Sequence, residues 1–181
     1  MKNIFVLIAL FTATSMMAQK QINWMSMNDA LAAQAENPKL IFIDMYTNWC
    51  GPCKLLDKKT FSNTDVIDYM NDNYYAVKFN AEGDEPVVYM ENEFGNPNYD
   101  PAKATRRNSQ HQFARHLSIR AYPTVVFLNE KGELLTALKS YRTPQQLEVY
   151  LKLFAEGTYL KLKTQEEFNT YTENFVPVFK G

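Results

Sequence analysis

The chain has 181 residues, of which 46% are hydrophobic and 14% aromatic, enough apolar material for one well-formed core. Its 19 basic and 20 acidic side chains leave a formal charge of -1, so no overall electrostatic field draws it to nucleic acid or to an anionic bilayer. We therefore expect a single main domain and no nucleic-acid partner.

Residues 1–18 have the pattern of a secretory signal peptide. Lys2 supplies the positive start, residues 4–11 are apolar, and small side chains lead to Ala18, after which we expect cleavage. The alternative is a membrane anchor, but the apolar stretch is shorter than the roughly 20 residues that span a bilayer. The mature chain is therefore expected to be periplasmic or secreted, with no integral membrane segment after signal removal.

The first elements of the mature chain alternate between helix and strand. Ser26 begins a short helix that ends before residue 37. Residues 39–46 follow as a strand, whose continuous apolar run over residues 40–43 is typical of the centre of a sheet. A helical stretch after this strand breaks at residues 61–63 and resumes, and residues 74–80 form another strand. This order predicts a parallel strand pair with a helical crossover in an α/β sheet.

Residues 81–109, called the insertion below, interrupt that alternation. They are rich in Pro, Gly, Asn and Asp, as loops are. Within them, residues 87–94 are interpreted as a short helix. Long loops in compact domains are usually functional or disordered, so the insertion is a candidate for a functional segment.

The rest of the chain predicts a helix over residues 110–117, a hairpin of strands 124–128 and 134–138, and a helix from Pro144 to about Gly157. Thr164 and Glu167 have capping-box spacing and predict a terminal helix. The main domain is therefore expected to span residues 19–157, with the insertion at about 81–109. Residues 158–181 are expected to form a C-terminal extension that contains the terminal helix.

Two cysteines, Cys50 and Cys53, are separated by Gly51 and Pro52. A disulfide between them closes a loop of a few residues, so it restricts the unfolded chain much less than a long-range bridge would. Cys50 precedes a predicted helix, whose free N–H groups and dipole favour a thiolate, so we expect Cys50 to attack a substrate disulfide. Cys53, expected to be the more buried of the two, then resolves the mixed disulfide.

A metal site and an inert bridge are the alternatives for these cysteines. Zinc takes four ligands in a closed site, and only His111 and His116 are available to complete the set. Residues five positions apart do not share a helical face. Both histidines are therefore expected to be ordinary surface or loop residues, and no metal is expected.

The run Phe42–Lys54 resembles the active-site strand and turn of the thioredoxins. Residues 76–80 and 118–124 resemble two further segments of that family, and the resemblance covers roughly residues 26–156. It implies an α/β thioredoxin fold, in which a central mixed sheet is flanked by helices. In this chain the insertion precedes the family's cis-proline segment, and the C-terminal helix is added.

The resemblance also implies roles for two charged residues. Asp44, six residues before Cys50, matches the family's buried carboxylate, which can accept the proton of Cys53 because burial raises its proton affinity. Lys78 matches the lysine that offers this carboxylate a counter-charge. Without the resemblance, an aspartate in an apolar strand is also explained as a hydrogen-bonded structural residue.

Substrate-binding residues are implied in the same way. Pro123, in the cis form, would place the backbone of Tyr122 beside the sulfurs, where an extended substrate strand can pair with it. Trp49 would cover the sulfur pair from one side, and Gly51 and Pro52 lie between the cysteines. The structural alternatives are a plain turn proline and a tryptophan that only packs in the core.

A Gly-Pro pair between the cysteines resembles the reducing members of the family. We therefore expect a thiol–disulfide oxidoreductase, specifically a protein-disulfide reductase in cell redox homeostasis, that acts on disulfide-containing protein substrates. It is expected to need no cofactor and to receive electrons from a membrane thiol–disulfide donor. A thiol oxidase, an isomerase and a non-catalytic binding module that holds a partner with its insertion are the alternatives.

Overall fold

The computed structural model describes residues 20–181. The predicted signal peptide and its cleavage site lie outside the described residues. Between residues 20 and 181, no helix is long and apolar enough to cross a bilayer.

Helices and strands alternate through most of the described chain. In chain order they are β1 (Trp24–Met25), α1 (Met27–Glu36), β2 (Leu40–Tyr46), α2 (Gly51–Lys59), α3 (Thr64–Asn73), β3 (Tyr74–Asn80), β4 (Val87–Tyr89), β5 (Asn92–Phe94), α4 (Gln112–His116), β6 (Thr124–Leu128), β7 (Leu134–Lys139), α5 (Pro144–Ala155) and α6 (Gln165–Asn174). Short 3₁₀ turns occupy Pro101–Lys103 and Thr158–Leu160.

The main sheet has the strand order β1-β3-β2-β6-β7. Strands β1, β3 and β2 are parallel to one another, whereas β6 pairs antiparallel with both β2 and β7. This confirms the predicted central mixed sheet flanked by helices, with β2 in its middle. Strand β1 was absent from the sequence-based expectation, because two residues are too few to show a periodic pattern.

Strand β2 is apolar on both faces because helices cover the sheet on both sides. Ile41, Ile43 and Met45 pack in a cluster with residues of α1 and α4, and Phe42 packs in a second cluster with residues of α3 and α5. Side chains alternate between the faces of a strand, so Asp44 shares the face of Phe42. The carboxylate of Asp44 is therefore buried on a face of the sheet that helices cover.

The predicted helix over residues 87–94 is wrong, because this segment forms the β4–β5 hairpin. Val87 and Tyr89 are 1% and 3% exposed while Val88 is 52% exposed, which is the alternation of a strand. Met90 and Glu91 make the turn with φ of 49° and 62°. Non-glycine residues rarely adopt positive φ, so nothing in these two residue types signalled a turn.

The C-terminal helix α6 is confirmed, with the predicted cap. The Thr164 Oγ1 accepts from the backbone N–H of Glu167 at 3.1 Å, and Glu167 Oε2 accepts from that of Thr164 at 3.0 Å. Further along, the fully buried Glu148 of α5 accepts the backbone N–H groups of Val178 and Phe179 at 2.9 and 2.8 Å. The end of the chain is therefore tied to α5, and the division at residue 157 stays a prediction.

Candidate active site

Cys50 and Cys53 are joined by a disulfide at the start of α2. Cys50 is the N-cap residue, and its Sγ accepts the backbone N–H of Cys53 at 3.1 Å. Gly51 and Pro52 form the exposed first turn, where proline is tolerated because its missing N–H would have no helical partner. The sulfur of Cys50 thus lies where unpaired N–H groups and the helix dipole stabilise negative charge.

The two cysteines are buried to the same extent, with 2% of Cys50 and 3% of Cys53 exposed. The expectation that Cys53 is the more buried of the two is wrong for the bridged pair. The reason is that Cys50, as the cap, turns its sulfur toward the helix end and its bridged partner rather than toward solvent.

Asp44 and Lys78 face each other across the β2–β3 pair, in direct register. The Lys78 Nζ lies 3.0 Å from Asp44 Oδ2 and forms a second ion pair with Asp57 Oδ1. Asp57 lies on α2, one turn beyond Cys53. Sequence reasoning missed Asp57, although its position four residues after Cys53 places both side chains on one side of the helix.

Burial raises the pKa of Asp44 from 3.8 to about 6, and the charge and hydrogen bond of Lys78 oppose this shift. Asp44 is 1% exposed, and its Oδ1 has no hydrogen-bond partner among the described residues. Asp44 therefore has one oxygen held by Lys78 and one free oxygen. A carboxyl with a pKa of about 6 can take up and release a proton near neutral pH.

Lys78 stays charged despite its surroundings. Burial lowers the pKa of Lys78, but the carboxylates of Asp44 and Asp57 outweigh this effect and the net pKa is raised. Its ammonium lies 5.1 Å from the ring centroids of both Trp24 and Tyr46, within the range of cation–π attraction. The lysine is held in place by charges and aromatic rings together.

Trp49, the residue before Cys50, packs against Tyr122, and these two aromatic residues are called the rim below. Its indole N–H donates to Glu82 Oε2 at 2.7 Å, and its ring meets that of Tyr122 edge-on at 6.1 Å. The Tyr122–Pro123 peptide bond is cis, as expected from the resemblance. The structure thus brings Trp49 and Tyr122 together. Glu82 was not predicted, because it lies 33 residues away in the insertion.

His111 lies at the end of the loop before α4, as the expectation allowed, but it is fully buried rather than on the surface. Its Nδ1 accepts the backbone N–H of Phe113 and caps α4, and its Nε2 bonds to the carbonyl of Glu85 at 2.9 Å. A carbonyl only accepts, so Nε2 carries the proton. Burial lowers the pKa of His111 and favours this neutral form. His116 is exposed, as expected.

Between residues 20 and 181, no three side chains of His, Cys, Asp or Glu lie together in a way that could hold a metal ion.

Comparison with known proteins agrees with this site. A family model described as a thioredoxin-like domain matches residues 27–155. The chain belongs to this thioredoxin-like family. Together with the bridged Cys50–Cys53 pair, the family assigns the chain to the thiol–disulfide oxidoreductases.

Curated relatives include two proteins named thiol:disulfide interchange protein DsbD. The one from Pseudoalteromonas atlantica is 28% identical over 103 residues, which are 57% of this chain and 14% of that protein. The one from Citrobacter koseri is 27% identical over 129 residues, 67% of this chain and 18% of that protein. The chain therefore spans less than a fifth of the length of either relative.

One solved structure is also similar to this chain. The solution structure of a Bacteroides thetaiotaomicron protein, provisionally named a disulphide-isomerase, is 28% identical and superposes with a TM-score of 0.53. The match covers 77% of this chain and 98% of that one.

Proposed function

We propose that this chain reduces disulfides in exported proteins, with Cys50 and Cys53 as its electron-carrying pair. Two observations carry the proposal together: the Cys50–Cys53 disulfide begins helix α2, and Asp44 of β2, six residues before Cys50, is a buried carboxylate with a pKa of about 6. Further support comes from Gly51 and Pro52, which resemble the spacer of reducing family members. The name of the relatives, thiol:disulfide interchange protein, supports the same chemistry.

In the proposed first step, the Cys50 thiolate attacks one sulfur of a substrate disulfide. The substrate S–S bond breaks, one substrate sulfur leaves as a thiolate, and Cys50 holds the other in a mixed disulfide. We propose that Trp49, Tyr122 and Pro123 form the surface against which an extended substrate strand lies, beside the exposed Gly51 and Pro52.

In the second step, Asp44 accepts the proton of Cys53 on its free oxygen, and the Cys53 thiolate attacks the sulfur of Cys50. The mixed disulfide breaks and the second substrate sulfur leaves as a thiolate. Two electrons have then passed to the substrate, and the Cys50–Cys53 disulfide has formed. Lys78 keeps Asp44 from becoming so basic that it would retain the proton.

The oxidised pair must be reduced again before another turnover. We propose that a membrane thiol–disulfide donor supplies two electrons by the same exchange, and that the protein works in the periplasm or outside the cell. The signal pattern of residues 1–18 supports this location. The two sulfurs store both electrons, so the proposed cycle uses no cofactor.

The reduction potential of the Cys50–Cys53 pair tests the direction. Thioredoxin stands at about −270 mV and a periplasmic oxidase at about −120 mV, a gap of roughly 150 mV or about 7 kcal/mol. Equilibration with glutathione is expected to give a value near the reducing end. A value near the oxidase end would contradict the proposed reductase.

Insulin reduction tests whether the pair turns over at all. The Cys50→Ser variant is expected to lose all activity, because Cys50 is the proposed nucleophile. Activity equal to that of the wild type would refute the proposed reaction, and the absence of activity from both proteins would favour a binding module.

An isomerase is the second candidate, favoured by the name of the Bacteroides thetaiotaomicron protein. Isomerisation rearranges substrate disulfides through Cys50 without net reduction, so it does not require Cys53. A reductase whose Cys53 is changed to Ser is expected to stall as a mixed disulfide. If Cys53→Ser instead restores a protein with scrambled disulfides at the wild-type rate, the protein is an isomerase.

A further inference from the structure

The insertion is docked on the two residues that precede Cys50. The Asn48 side-chain amide donates to the carbonyl of Ala104 at 2.6 Å. Glu82 Oε2 accepts both the indole N–H of Trp49 at 2.7 Å and the backbone N–H of Asn108 at 2.9 Å. One carboxylate therefore joins the active-site tryptophan to the last part of the insertion.

The loop that follows β5 is also held by its own hydrogen bonds. Asn96 donates its side-chain amide to the carbonyls of Gly83 and Ser109, both at 2.8 Å. The Asn108 side chain accepts the backbone N–H of Asp100 at 3.0 Å and donates to its carbonyl at 2.8 Å. These contacts join the two ends of the loop, so the position of the residues between them is defined.

This arrangement places Arg107 against Trp49. The guanidinium carbon lies 4.6 Å from the centroid of the tryptophan ring, in cation–π range. Arg107 is exposed, and its guanidinium has no hydrogen-bond acceptor or ion-pair partner among residues 20–181. Stacking on a ring leaves the N–H edge of a guanidinium free to form a bidentate contact with a carboxylate.

The surrounding charges favour an acidic ligand. Lys103, Arg106 and Arg107 are exposed basic residues of one short segment. The nearby Asp100 is paired with Lys103 at 3.1 Å, and Glu82 accepts the neutral N–H groups of Trp49 and Asn108, so the three cations outnumber these two carboxylates. Arg107 is therefore the cation of this group that both contacts the active-site rim and has no acidic partner within the described chain.

We infer that Arg107 is a specificity-determining residue that selects disulfide substrates with an Asp or Glu side chain close to the reacting cysteine. The inference rests on the proposed function and deepens it, because it names the class of substrate for the same site. Arg107 takes no part in the thiol–disulfide exchange. Its role is to hold an acidic side chain beside Trp49 while Cys50 attacks the neighbouring sulfur.

A set of short peptides, each disulfide-linked to a fluorophore, tests this inference. The peptides differ only in having Glu, its neutral isostere Gln or Lys at one position, which is varied in turn over about three residues on each side of the cysteine, an extended span of about 10 Å. For the best position, we expect the wild-type kcat/KM to be about threefold higher with Glu than with Gln at low salt, the size of a partly exposed ion pair. The preference should shrink in about 0.5 M NaCl, which screens exposed charges.

Charge variants of Arg107 make the test specific. In Arg107→Gln the preference for Glu should fall to none, and in Arg107→Glu a Lys peptide should become the better substrate. Arg107→Lys should retain part of the preference, because it keeps the charge without the planar fork. Lys131→Gln is the control, since it removes a cation from the β6–β7 turn at the opposite end of the sheet from Cys50.

The outcomes separate the two proposals. Reduction of all peptides at equal rates, or a Glu preference that survives in Arg107→Gln, overturns the role of Arg107 and leaves the reductase intact. Failure of the wild type to reduce either the peptides or hydroxyethyl disulfide, a small uncharged substrate, overturns the proposed function and this inference with it. Far-ultraviolet circular dichroism checks that each variant is folded.

Discussion

Replacing Asp44 with Asn tests whether the ionised carboxyl of Asp44 destabilises the folded protein. The folded-state pKa of about 6 lies above the ordinary value of 3.8, so the folded protein binds this proton more tightly than the unfolded chain does. The stabilising contribution of Asp44 is therefore complete below about pH 4 and is lost as the pH rises through 6. Each pKa unit corresponds to about 1.4 kcal/mol, so ionisation of Asp44 costs the folded state about 3 kcal/mol.

Asn keeps the shape of Asp44 and cannot ionise. The Asp44→Asn variant should therefore gain free energy of unfolding relative to the wild type as the pH rises from 4 to 7, by up to about 3 kcal/mol. Lys78 keeps Asp57 as an ion-pair partner in the variant, so it is not left as an unpaired charge.

The measurement is urea unfolding of the oxidised proteins at a series of pH values, so that no thiol titrates. Asp72→Asn is the matched control, because it removes an exposed carboxylate from α3 and should change the free energy of unfolding only slightly. A constant difference between Asp44→Asn and the wild type from pH 4 to pH 8 would refute the reasoning.

Two further predictions concern Asp57 and Glu148, two carboxylates that the sequence did not single out. The charge of Asp57 raises the pKa of Asp44, so Asp57→Asn should lower the Asp44 pKa from about 6. Carbon NMR of the Asp44 carboxyl group follows this pKa. An unchanged or higher value would contradict the sharing of Lys78 between Asp44 and Asp57. Glu148→Ala leaves the backbone N–H groups of Val178 and Phe179 and the ammonium of Lys152 without their acceptor. It should cost about 3 kcal/mol in urea unfolding and expose the C-terminal segment to proteases, whereas Glu148→Gln keeps an acceptor and should cost less. Equal losses in the two Glu148 variants would show that the hydrogen bonds to the chain end do not matter.

Local signals explain what could be predicted about the fold. The helix caps at Ser26 and Thr164 depend on residues three positions apart, and the apolar run of β2 depends on neighbours in one strand. The Asp44–Lys78 pair was expected from its resemblance to a known active site, and it occurs in direct register across β2 and β3. The hairpin at residues 87–94 was interpreted as a helix because its three-residue strands are too short to show a clear period.

The parts that could not be predicted depend on contacts between distant segments. Glu82 reaches Trp49 across 33 positions, and Glu148 reaches the chain end across 30 or more. Neither carboxylate has a local pattern that distinguishes it from an exposed surface acid. His111 is similar, because its burial and its bond to Glu85 follow from how the insertion folds back on α4.

The amino-acid sequence alone identified the two cysteines, the helix that begins at Cys50 and the central strand that carries Asp44, since each of these depends on residues close together in the chain. The tertiary structure decided the surroundings of that site: the pKa of Asp44, the sharing of Lys78 with Asp57, and the docking of the insertion on Trp49. Burial and ion pairing depend on which segments meet in space. The spacing of residues along the chain does not determine that.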